Sequence, residues 1–323
     1  SNAASETVEA SRGIITDRNG KVLVSNRLAY TLTFSKKNFQ SDEELNAAIW
    51  RLIALCQETD TAWVDTLPIS QNSPYLYLSS RDDETFTKFL AKNKLSIQST
   101  STALLENLRT LFGISDSYTR SQARLIAGIR YELASRESYV FAEDVSTELI
   151  SQITDGNFAG VTTGQSSIRD YNTTYAAHIL GRITRIYAED WPEYRDKGYS
   201  MDALVGESGV EKAFEEYLHG VDGRRLITTD ENGKLTGEVY MKEPKPGNIV
   251  SLTLNHDLQV ATEDTLAATI EGMIDKDSNE RGGAVAVVQV GTGEVLALAS
   301  YPTYDLETFN QNYETLVEDD RLP

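Results

Sequence analysis

The sequence predicts an α+β protein in which a helix-rich stretch lies between strand-rich flanks. Three hairpin patterns predict the strands, and they lie at residues 12–34, 224–240 and 284–300. Between the first two, residues 41–155 carry successive apolar stripes at helical spacing. A helical insertion into a strand-containing unit accounts for this order of elements.

The N-terminal hairpin is predicted by the segment "GIITDRNGKVLVSN", which places Asn19-Gly20 between two apolar runs. Asn-Gly is a favoured pair for a two-residue turn because both residues tolerate a positive φ. The following segment "AYTLTFS" alternates at period two, with Tyr30, Leu32 and Phe34 on one face. These patterns predict two antiparallel strands, the second of which continues past the hairpin.

Helices are predicted for the segments "SDEELNAAIWRLIALCQ", "DDETFTKFLAKN", "TRSQARLIAGIRYELASR" and "AEDVSTELISQI". Ser41 and Glu44 have the spacing of a capping box at the start of the first helix. The apolar stripe of that helix includes Cys56, and the spacing predicts a small core residue there rather than a nucleophile or ligand.

The second half of the chain alternates helices and strands. The segment "GESGVEKAFEEYLHG" predicts one amphipathic helix that buries Val210, Phe214, Tyr217 and Leu218. A hairpin follows in "RRLITTDENGKLTGEVY", then a strand in "NIVSLTL" and a long helix in "HDLQVATEDTLAATIEGMI". The hairpin at 284–300 completes the predicted elements.

The composition is acidic, with 30 Lys+Arg against 49 Asp+Glu and a net charge of −19. This balance argues against a nucleic-acid partner, because phosphates favour basic surfaces. Residues 251–323 hold 14 acidic and 3 basic residues, whereas residues 11–40 are mainly basic. The basic stretch suits either an anionic membrane surface or a solvated, internally paired strand face. The single cysteine precludes an intramolecular disulfide, which is compatible with the cytosol and with export.

No local pattern indicates a metal, a cofactor or a nucleophile. His178, His219 and His256 lack a Cys or a second His at ligand spacing, which argues against zinc. Gly291 and Gly293 flank a turn between two strands, not the strand-to-helix turn that cradles phosphate. The residues alone therefore predict an acidic protein of at least two units, without a cofactor or a visible active site.

Five phrases, in this order, resemble class B penicillin-binding proteins, the monofunctional peptidoglycan transpeptidases. They are "RGIITDRNGKVL" (12–23), "HILGRI" (178–183), "GESGVEKAFEEYLHGVDGRR" (206–225), "LTLNHDLQ" (252–259) and "GTGEVLALASYPTYDLETFN" (291–310). Each phrase alone is a weak signal, but all of them in the family's order are a specific one. The run at 125–153 resembles the elongation-type members more than the division-type ones.

The resemblance implies a domain plan. Residues 1–11 would be a linker that begins with SNA, a sequence of the kind that a cleaved purification tag leaves. A strand-rich pedestal would comprise 12–40 and 161–250, a helical head insertion 41–160, and the first helix and β-hairpin of a truncated penicillin-binding transpeptidase domain 251–323. An unfinished sheet leaves an open edge, so limited proteolysis is expected to cut 251–323 before 12–250.

The resemblance also implies structural rather than catalytic roles for the motif residues. Arg12 and Arg18 carry charges opposite to those of Asp17, Glu207 and Glu211, and partly buried charges need partners. The glycines suit turns and close backbone approach. The motif residues are Arg12, Gly13, Asp17, Arg18, Gly20, His178, Gly181, Gly206, Gly209, Glu211, Gly220 and Gly223.

The family's chemistry needs a Ser-x-x-Lys, a Ser-x-Asn and a Lys-[Ser/Thr]-Gly, in which a neighbouring amine activates the serine. The sequence contains no Ser-x-x-Lys, no Lys-Thr-Gly and no Lys-Ser-Gly, and its Ser-x-Asn at 70–72 falls in the helical stretch. No catalytic residue is therefore assigned, and the chain is expected to stop just before the point where the family places its serine.

Two functions follow from the resemblance. The first is the N-terminal pedestal and dimerisation region of a D,D-transpeptidase in cell-wall synthesis. Its full-length parent would act on peptidoglycan stem peptides, bind β-lactams and lie outside the cytoplasm on an N-terminal membrane anchor that this sequence lacks. The second is a non-enzymatic exported interaction module. In both cases the expected partners are a glycosyltransferase or other wall-synthesis proteins, and neither a nucleic acid nor a metal.

Overall fold

The computed structural model of the protein describes residues 2–230, 235–273, 282–307 and 309. The backbone divides into two compact units, one formed by residues 1–27 and 169–323 and the other by residues 28–168. We call the first the split unit, because two separate stretches of chain form it, and the second the central unit.

The elements follow one another as helices and strands of very different lengths. The helices are α1 (Asp42–Glu58), α2 (Glu84–Lys92), α3 (Ser101–Leu111), α4 (Arg120–Glu132), α5 (Thr147–Gly156), α6 (Ala177–Leu180), α7 (Trp191–Asp196), α8 (Gly209–Ala213), α9 (Glu215–Leu218) and α10 (His256–Met273). The strands are β1 (Asn2–Val8), β2 (Ile15–Thr16), β3 (Val22–Ser35), β4 (Ser138–Val145), β5 (Val161–Tyr171), β6 (Ile183–Arg185), β7 (Leu204–Gly206), β8 (Gly223–Thr229), β9 (Leu235–Lys242), β10 (Val250–Ser251), β11 (Gly283–Val288) and β12 (Val295–Tyr301). The division between the units falls within β3 and β5.

The central unit contains α1 to α5 around one apolar core. Of the described residues, 30 buried apolar side chains form this core, among them Phe34, Ile49, Cys56 and Phe141. Cys56 is fully buried, as its place in the helical stripe predicts. Ser41 accepts the backbone N–H of Glu44 at 3.2 Å and so caps α1.

Strand β4 occupies a stretch where the sequence predicts the start of a helix. Tyr139 and Phe141 are buried while Val140 between them is exposed, which is the period of a strand. Helix α5 begins only after Ser146, whose side chain accepts the backbone N–H of Leu149 at 3.2 Å. The apolar residues after Ser146 therefore do lie on a helix, but this helix begins later than predicted. Helix α3, whose buried Leu104, Leu105 and Leu108 have helical spacing, is not among the four helices predicted for this stretch.

In the split unit, β2 lies between strands that are far apart in the sequence. It pairs antiparallel with the start of β3, with Ile15 opposite Val24, and parallel with β10, where Val250 is opposite Ile15. Gly20 lies in the turn between β2 and β3 with a φ of 81°, as the Asn-Gly pair predicts. These strands contribute to a cluster of 11 buried apolar residues that also includes Leu218.

Residues 2–8 form strand β1 rather than the linker that the sequence suggests for residues 1–11. This strand pairs antiparallel with β8, and β9 completes a three-stranded sheet in the order β1-β8-β9. Glu6 lies opposite Arg225 in this register, and their side chains form an ion pair at 2.6 Å. The hairpin predicted at 224–240 has its turn at Asn232-Gly233, which lies outside the described residues.

Helix α10 packs on the antiparallel hairpin of β11 and β12. Leu266 and Ile270 of the helix and Ala299 of β12 form a small buried cluster. Within the described stretches, no helix is long and apolar enough to cross a membrane.

The helix predicted at 206–220 is broken, and its buried face differs from the prediction. It forms α8 and α9 with Phe214 between them at a φ of −111°. Val210 and Leu218 are buried as predicted, but Phe214 and Tyr217 are 39% and 58% exposed. Two glutamates of the same segment are buried instead, because arginines from elsewhere in the split unit pair with them.

Candidate functional site

A buried ion-pair network lies at the centre of the split unit. The side chain of Glu211 is completely buried and contacts two arginines. Its Oε2 lies 2.8 Å from Nε of Arg12, and its Oε1 lies 2.5 Å from Nη2 of Arg169. One carboxylate therefore joins the segment before β2 to the end of β5.

The remaining polar atoms of this network also have partners. Arg12 donates from Nη1 to Oε1 of Glu215 at 2.9 Å and from Nη2 to the carbonyl oxygen of Glu211 at 2.9 Å. Arg169 donates from Nη1 to the carbonyl oxygen of Gly13 at 2.7 Å. Glu215 also accepts the backbone N–H of Gly206 at 2.8 Å. Buried charges are tolerated when they are paired and fully hydrogen-bonded, and this network meets that condition.

The two glutamates of this network lie close together in the sequence. Glu211 lies on α8 and Glu215 is the first residue of α9, and both side chains contact Arg12. Burial lowers the pKa of the Arg169 guanidinium, while the Glu211 carboxylate opposes that shift and favours the charged form.

Two glycine-containing phrases meet backbone against backbone. Gly181 and Gly209 have φ values of 73° and 57°, which favour glycine, and a Cβ on Gly181 would lie 2.0 Å from the carbonyl oxygen of Ser208. A Cβ on Gly209 would lie 2.5 Å from the carbonyl oxygen of Ile179. Four other motif glycines, Gly13, Gly206, Gly220 and Gly223, are in similarly close backbone contact.

His178 lies next to aromatic side chains in the stretch that follows β12. Its ring is 4.9 Å from that of Tyr304, nearly perpendicular to it. Burial lowers the pKa of His178, and a hydrogen bond with the Pro302 backbone opposes that shift. The neutral ring therefore packs the "HILG" phrase against residues 302–304.

Asp17 connects the β2–β3 turn to the start of α10. Its carboxylate accepts the backbone N–H groups of Asn19 at 2.8 Å, Lys21 at 2.9 Å and His256 at 3.0 Å. Burial alone would raise the pKa of Asp17, but these three donors outweigh it and lower the pKa. Asp17 thus satisfies a free N–H at the beginning of a helix that lies 239 positions away in the sequence.

Two side chains of α10 extend this junction to β12 and to the segment before α6. Gln259 donates from Nε2 to the carbonyl oxygen of Leu298 at 2.7 Å and accepts the N–H of Leu298 at 2.8 Å. It also donates to Glu263 at 2.9 Å, and Glu263 accepts the N–H of Ala176 at 2.8 Å. Burial raises the pKa of Glu263, and the two donors partly offset this rise.

The structure brings some of the predicted charges together and separates others. Arg12 and Glu211 pair as the sequence predicts. Arg18 instead lies 3.7 Å from Glu294, and Glu207 pairs with Arg182 at 2.5 Å, so neither belongs to the central network. Arg18 and Glu207 are partly exposed, and each has a partner of opposite charge outside that network.

Several residues of the site carry no clear signal in the sequence. Arg169 lies near the end of the polar strand β5 and 42 positions from Glu211, so no local pattern marks it as buried. Gln259 and Glu263 look like the polar side of a long helix. Glu215 could have been found, since it follows Glu211 at helical spacing.

These groups fix chain segments and offer no reactive atom. Most of their donors and acceptors are already used by one another or by the backbone, and Nε2 of His178 is a buried exception without a partner among the described residues. Over the described ranges, no group of three or more His, Cys, Asp or Glu has a metal-binding arrangement. The thiol of Cys56 is buried in the central unit, and burial raises its pKa to about 12.

Comparison with known proteins gives consistent matches. A family model described as "Penicillin-binding Protein dimerisation domain" matches residues 7–252. Peptidoglycan D,D-transpeptidase MrdA of Acinetobacter baumannii is 25% identical over 299 residues, which cover 92% of this chain and 34% of that protein. Penicillin-binding protein 3 of Bacillus subtilis is 32% identical over 164 residues, or 50% of this chain and 22% of that protein. The chain spans about a third of the length of the MrdA relatives.

Solved structures share the fold. A complex between PBP2 and MreC from Helicobacter pylori covers 100% of this chain, and the chain covers 48% of PBP2, with a TM-score of 0.61 at 18% identity. Penicillin-binding protein 2B of Streptococcus pneumoniae matches 93% of this chain with a TM-score of 0.52 at 21% identity, over 49% of its own length. A peptidoglycan synthase complex matches 100% of this chain, over 44% of its own, with a TM-score of 0.56 at 22% identity.

Proposed function

The chain belongs to the family of penicillin-binding protein dimerisation domains, and we propose that it is the non-catalytic support of a peptidoglycan D,D-transpeptidase of the elongation type. In this proposal the split unit provides the pedestal, the central unit is the head, and α10 with β11 and β12 begins the transpeptidase domain. The support positions the catalytic domain and does no chemistry itself.

The observation that carries this proposal is the pair of junctions in the split unit. The Glu211 network holds the N-terminal segment, β5 and α8 together, and Asp17 holds the N-terminal turn against α10. Hydrogen bonds between charged groups are short and directional, so they set angles as well as distances. A support that must present a domain in one orientation needs contacts of this kind.

The reactive serine would belong to a part of the parent protein other than this chain. In the family it would accept the acyl group of a stem peptide, and a second stem amine would then release it to form the crosslink. β-Lactams would acylate the same serine. The chain has no Ser-x-x-Lys, so we expect it to be inactive in transpeptidation and unreactive towards penicillin.

The partners and location follow from the relatives. One similar structure contains MreC beside PBP2, and another is a peptidoglycan synthase complex. We therefore expect this chain to contact wall-synthesis proteins, with the parent held at the membrane by an N-terminal anchor. If the chain acts without a catalytic domain, the same contacts would make it a non-enzymatic interaction module.

Labelling with a fluorescent penicillin tests this assignment. We expect no labelling of this chain and covalent labelling of the full-length parent expressed from the same gene. Labelling of this chain would contradict the absence of a nucleophile, and an unlabelled but folded parent would contradict the transpeptidase. In the parent, Glu211→Gln should slow acylation, whereas Glu193→Gln on the surface should not.

A further inference from the structure

A buried histidine lies where the turn of residues 17–21 meets the start of α10. His256 is 8% exposed, and both of its ring nitrogens have partners. Nδ1 lies 3.0 Å from Nζ of Lys21, and Nε2 lies 2.8 Å from Oγ1 of Thr173. The ring thus bridges the N-terminal turn and the segment before α6, and it is the first residue of α10.

The partners of the ring determine its protonation state. An ammonium group only donates hydrogen bonds, so Nδ1 must accept from Lys21 and cannot carry a proton. Nε2 then carries the proton of the neutral ring and donates it to Thr173. The same hydroxyl oxygen of Thr173 accepts the backbone N–H of Tyr175 at 3.1 Å, which is consistent with its role as an acceptor.

The charged groups around the ring do not provide a second acceptor for Nδ1. Both oxygens of Asp17, on the turn, already accept backbone N–H groups, one of them from His256 itself. Asp257 is the neighbouring residue on α10. Burial lowers the pKa of His256 and the Lys21 ammonium adds to this effect, while Asp257 and Asp17 oppose it.

The aromatic neighbour of His256 also lacks a free acceptor for the ring. Tyr175 lies edge-on to His256, with a centroid distance of 6.2 Å, and its hydroxyl donates to Asp264 on α10 at 2.9 Å. A proton on Nδ1 would therefore face Lys21.

We propose that His256 is a proton-operated latch between the turn of residues 17–21 and the start of α10. In the neutral form, the Nδ1 lone pair holds the Lys21 ammonium. When a proton from solvent binds Nδ1, that lone pair is no longer available, and two positive groups face each other across 3.0 Å. Lys21 must then move away, and no other bond is made or broken.

Release of Lys21 affects the whole turn because the turn is built on the same residues. The backbone N–H of Lys21 is bonded to Asp17, and that of Arg18 donates to the carbonyl oxygen of Leu254 at 2.9 Å. Acidification therefore loosens the contact of the turn with α10 while the rest of the split unit stays folded. All of these groups belong to the present chain, so the inference does not depend on the proposed function.

Amide hydrogen exchange, corrected for the intrinsic pH dependence of exchange, tests the latch in this chain. The protection of the Arg18 and His256 amides should fall between threefold and about thirtyfold from pH 7.5 to pH 5, because an open histidine with a pKa of about 6.5 is almost fully protonated at pH 5. The variants His178→Gln and His219→Gln should keep this loss. A change of less than threefold in the wild-type chain would overturn the proposal.

Two substitutions separate a latch from a purely structural histidine. His256→Gln keeps an acceptor and a donor but cannot be charged, so the loss of protection on acidification should disappear. Lys21→Met removes the ammonium and keeps an apolar stem, so the midpoint of the His256 ring in an NMR titration should rise. An unchanged midpoint in Lys21→Met would contradict the latch even if His256→Gln failed to fold.

Discussion

The central unit and the split unit are stabilised in different ways. Among the described residues, the central unit has one core of 30 buried apolar side chains, whereas the split unit has clusters of 11 and 3. The split unit adds the Glu211 network and the Asp17 junction. Apolar burial depends little on pH, but buried charges and histidines depend on it directly. The difference shows that one chain can combine a unit with one large apolar core and a unit in which buried ion pairs supplement smaller apolar clusters.

The distribution of titratable groups follows the same division. All three histidines of the sequence, His178, His219 and His256, lie in the split unit, and burial lowers the pKa of each. The central unit has a buried ion pair of its own, Asp65 with Arg124 at 2.8 Å, but this pair sits within the apolar core. The following experiments test whether the units respond as differently as their contents suggest.

Removal of the central carboxylate should have the largest effect. We expect Glu211→Ala to lower the free energy of unfolding of the split unit by about 3–5 kcal/mol, because Arg169 would remain buried without its counter-charge and Arg12 would keep only Glu215. Segment-resolved hydrogen exchange in denaturant measures each unit separately. Glu193→Ala, on the surface of the same unit, is the matched control and should leave stability unchanged. A loss below about 1 kcal/mol would remove the contrast between the units.

A core substitution in the central unit should destabilise that unit slightly less than Glu211→Ala destabilises the split unit. Leu52 is 1% exposed, so Leu52→Ala should cost about 2–4 kcal/mol through lost burial and a cavity. The loss should be the same at pH 7.5 and pH 5.5. Leu76→Ala, at an exposed position of the same unit, is the control. A strong pH dependence of the Leu52→Ala effect would show that charges also govern the central unit.

Acidification should weaken the split unit more than the central unit. The folded pKa of each histidine lies below its unfolded value, so the unfolded chain binds more protons as pH falls through about 6.5. The neutral histidines therefore stabilise the split unit above about pH 6.5, and this contribution is lost as the pH falls below that value. Glu263, whose folded pKa is raised, opposes this loss in part. Denaturation at pH 7.5 and pH 5.5 with exchange readout measures both units, and equal losses would contradict the prediction.

The smallest expected effect is on the reactivity of Cys56, which distinguishes opening of the central unit from opening of the split unit. Since the thiol is buried and its pKa is raised to about 12, a thiol reagent at pH 8 should modify it only when the central unit opens. Glu211→Ala should therefore leave the rate of modification unchanged, and Leu52→Ala should increase it. An increase in both variants would mean that the two units open together.

The sequence predicts the elements whose signal is local. The stripe that includes Cys56 and the Asn19-Gly20 turn are visible within short windows, and the structure confirms both. Strand β1 was missed because its polar sequence has no alternation, and it is held by pairing with a strand more than 200 positions away. The prediction of which face of α8 and α9 is buried is wrong for a related reason. Whether Phe214 or Glu211 is buried depends on Arg12 and Arg169, which no helical pattern contains.

The sequence predicts contacts of the site only where opposite charges occur in the segments that resemble the penicillin-binding protein family. Arg12 and Glu211 could be paired on that basis. The polar strand that contains Arg169 gives no sign of burial, and the role of Gln259 depends on a strand edge that forms only after folding. Long-range polar contacts are therefore the part of this molecule that a local pattern cannot supply.

The side chain of Gln259 has a consequence for self-association. Its amide makes both hydrogen bonds that Leu298 would offer to another strand, while Asn255 and Thr253 bond the carbonyl oxygens of Leu296 and Val295. Within the described residues, the outer side of β12 is therefore covered from Val295 to Leu298, while no described strand pairs with the outer side of β11. Growth into a fibril needs two open sides in every copy. A second copy that met this hairpin would therefore pair with it along β11 and not along Val295–Leu298 of β12.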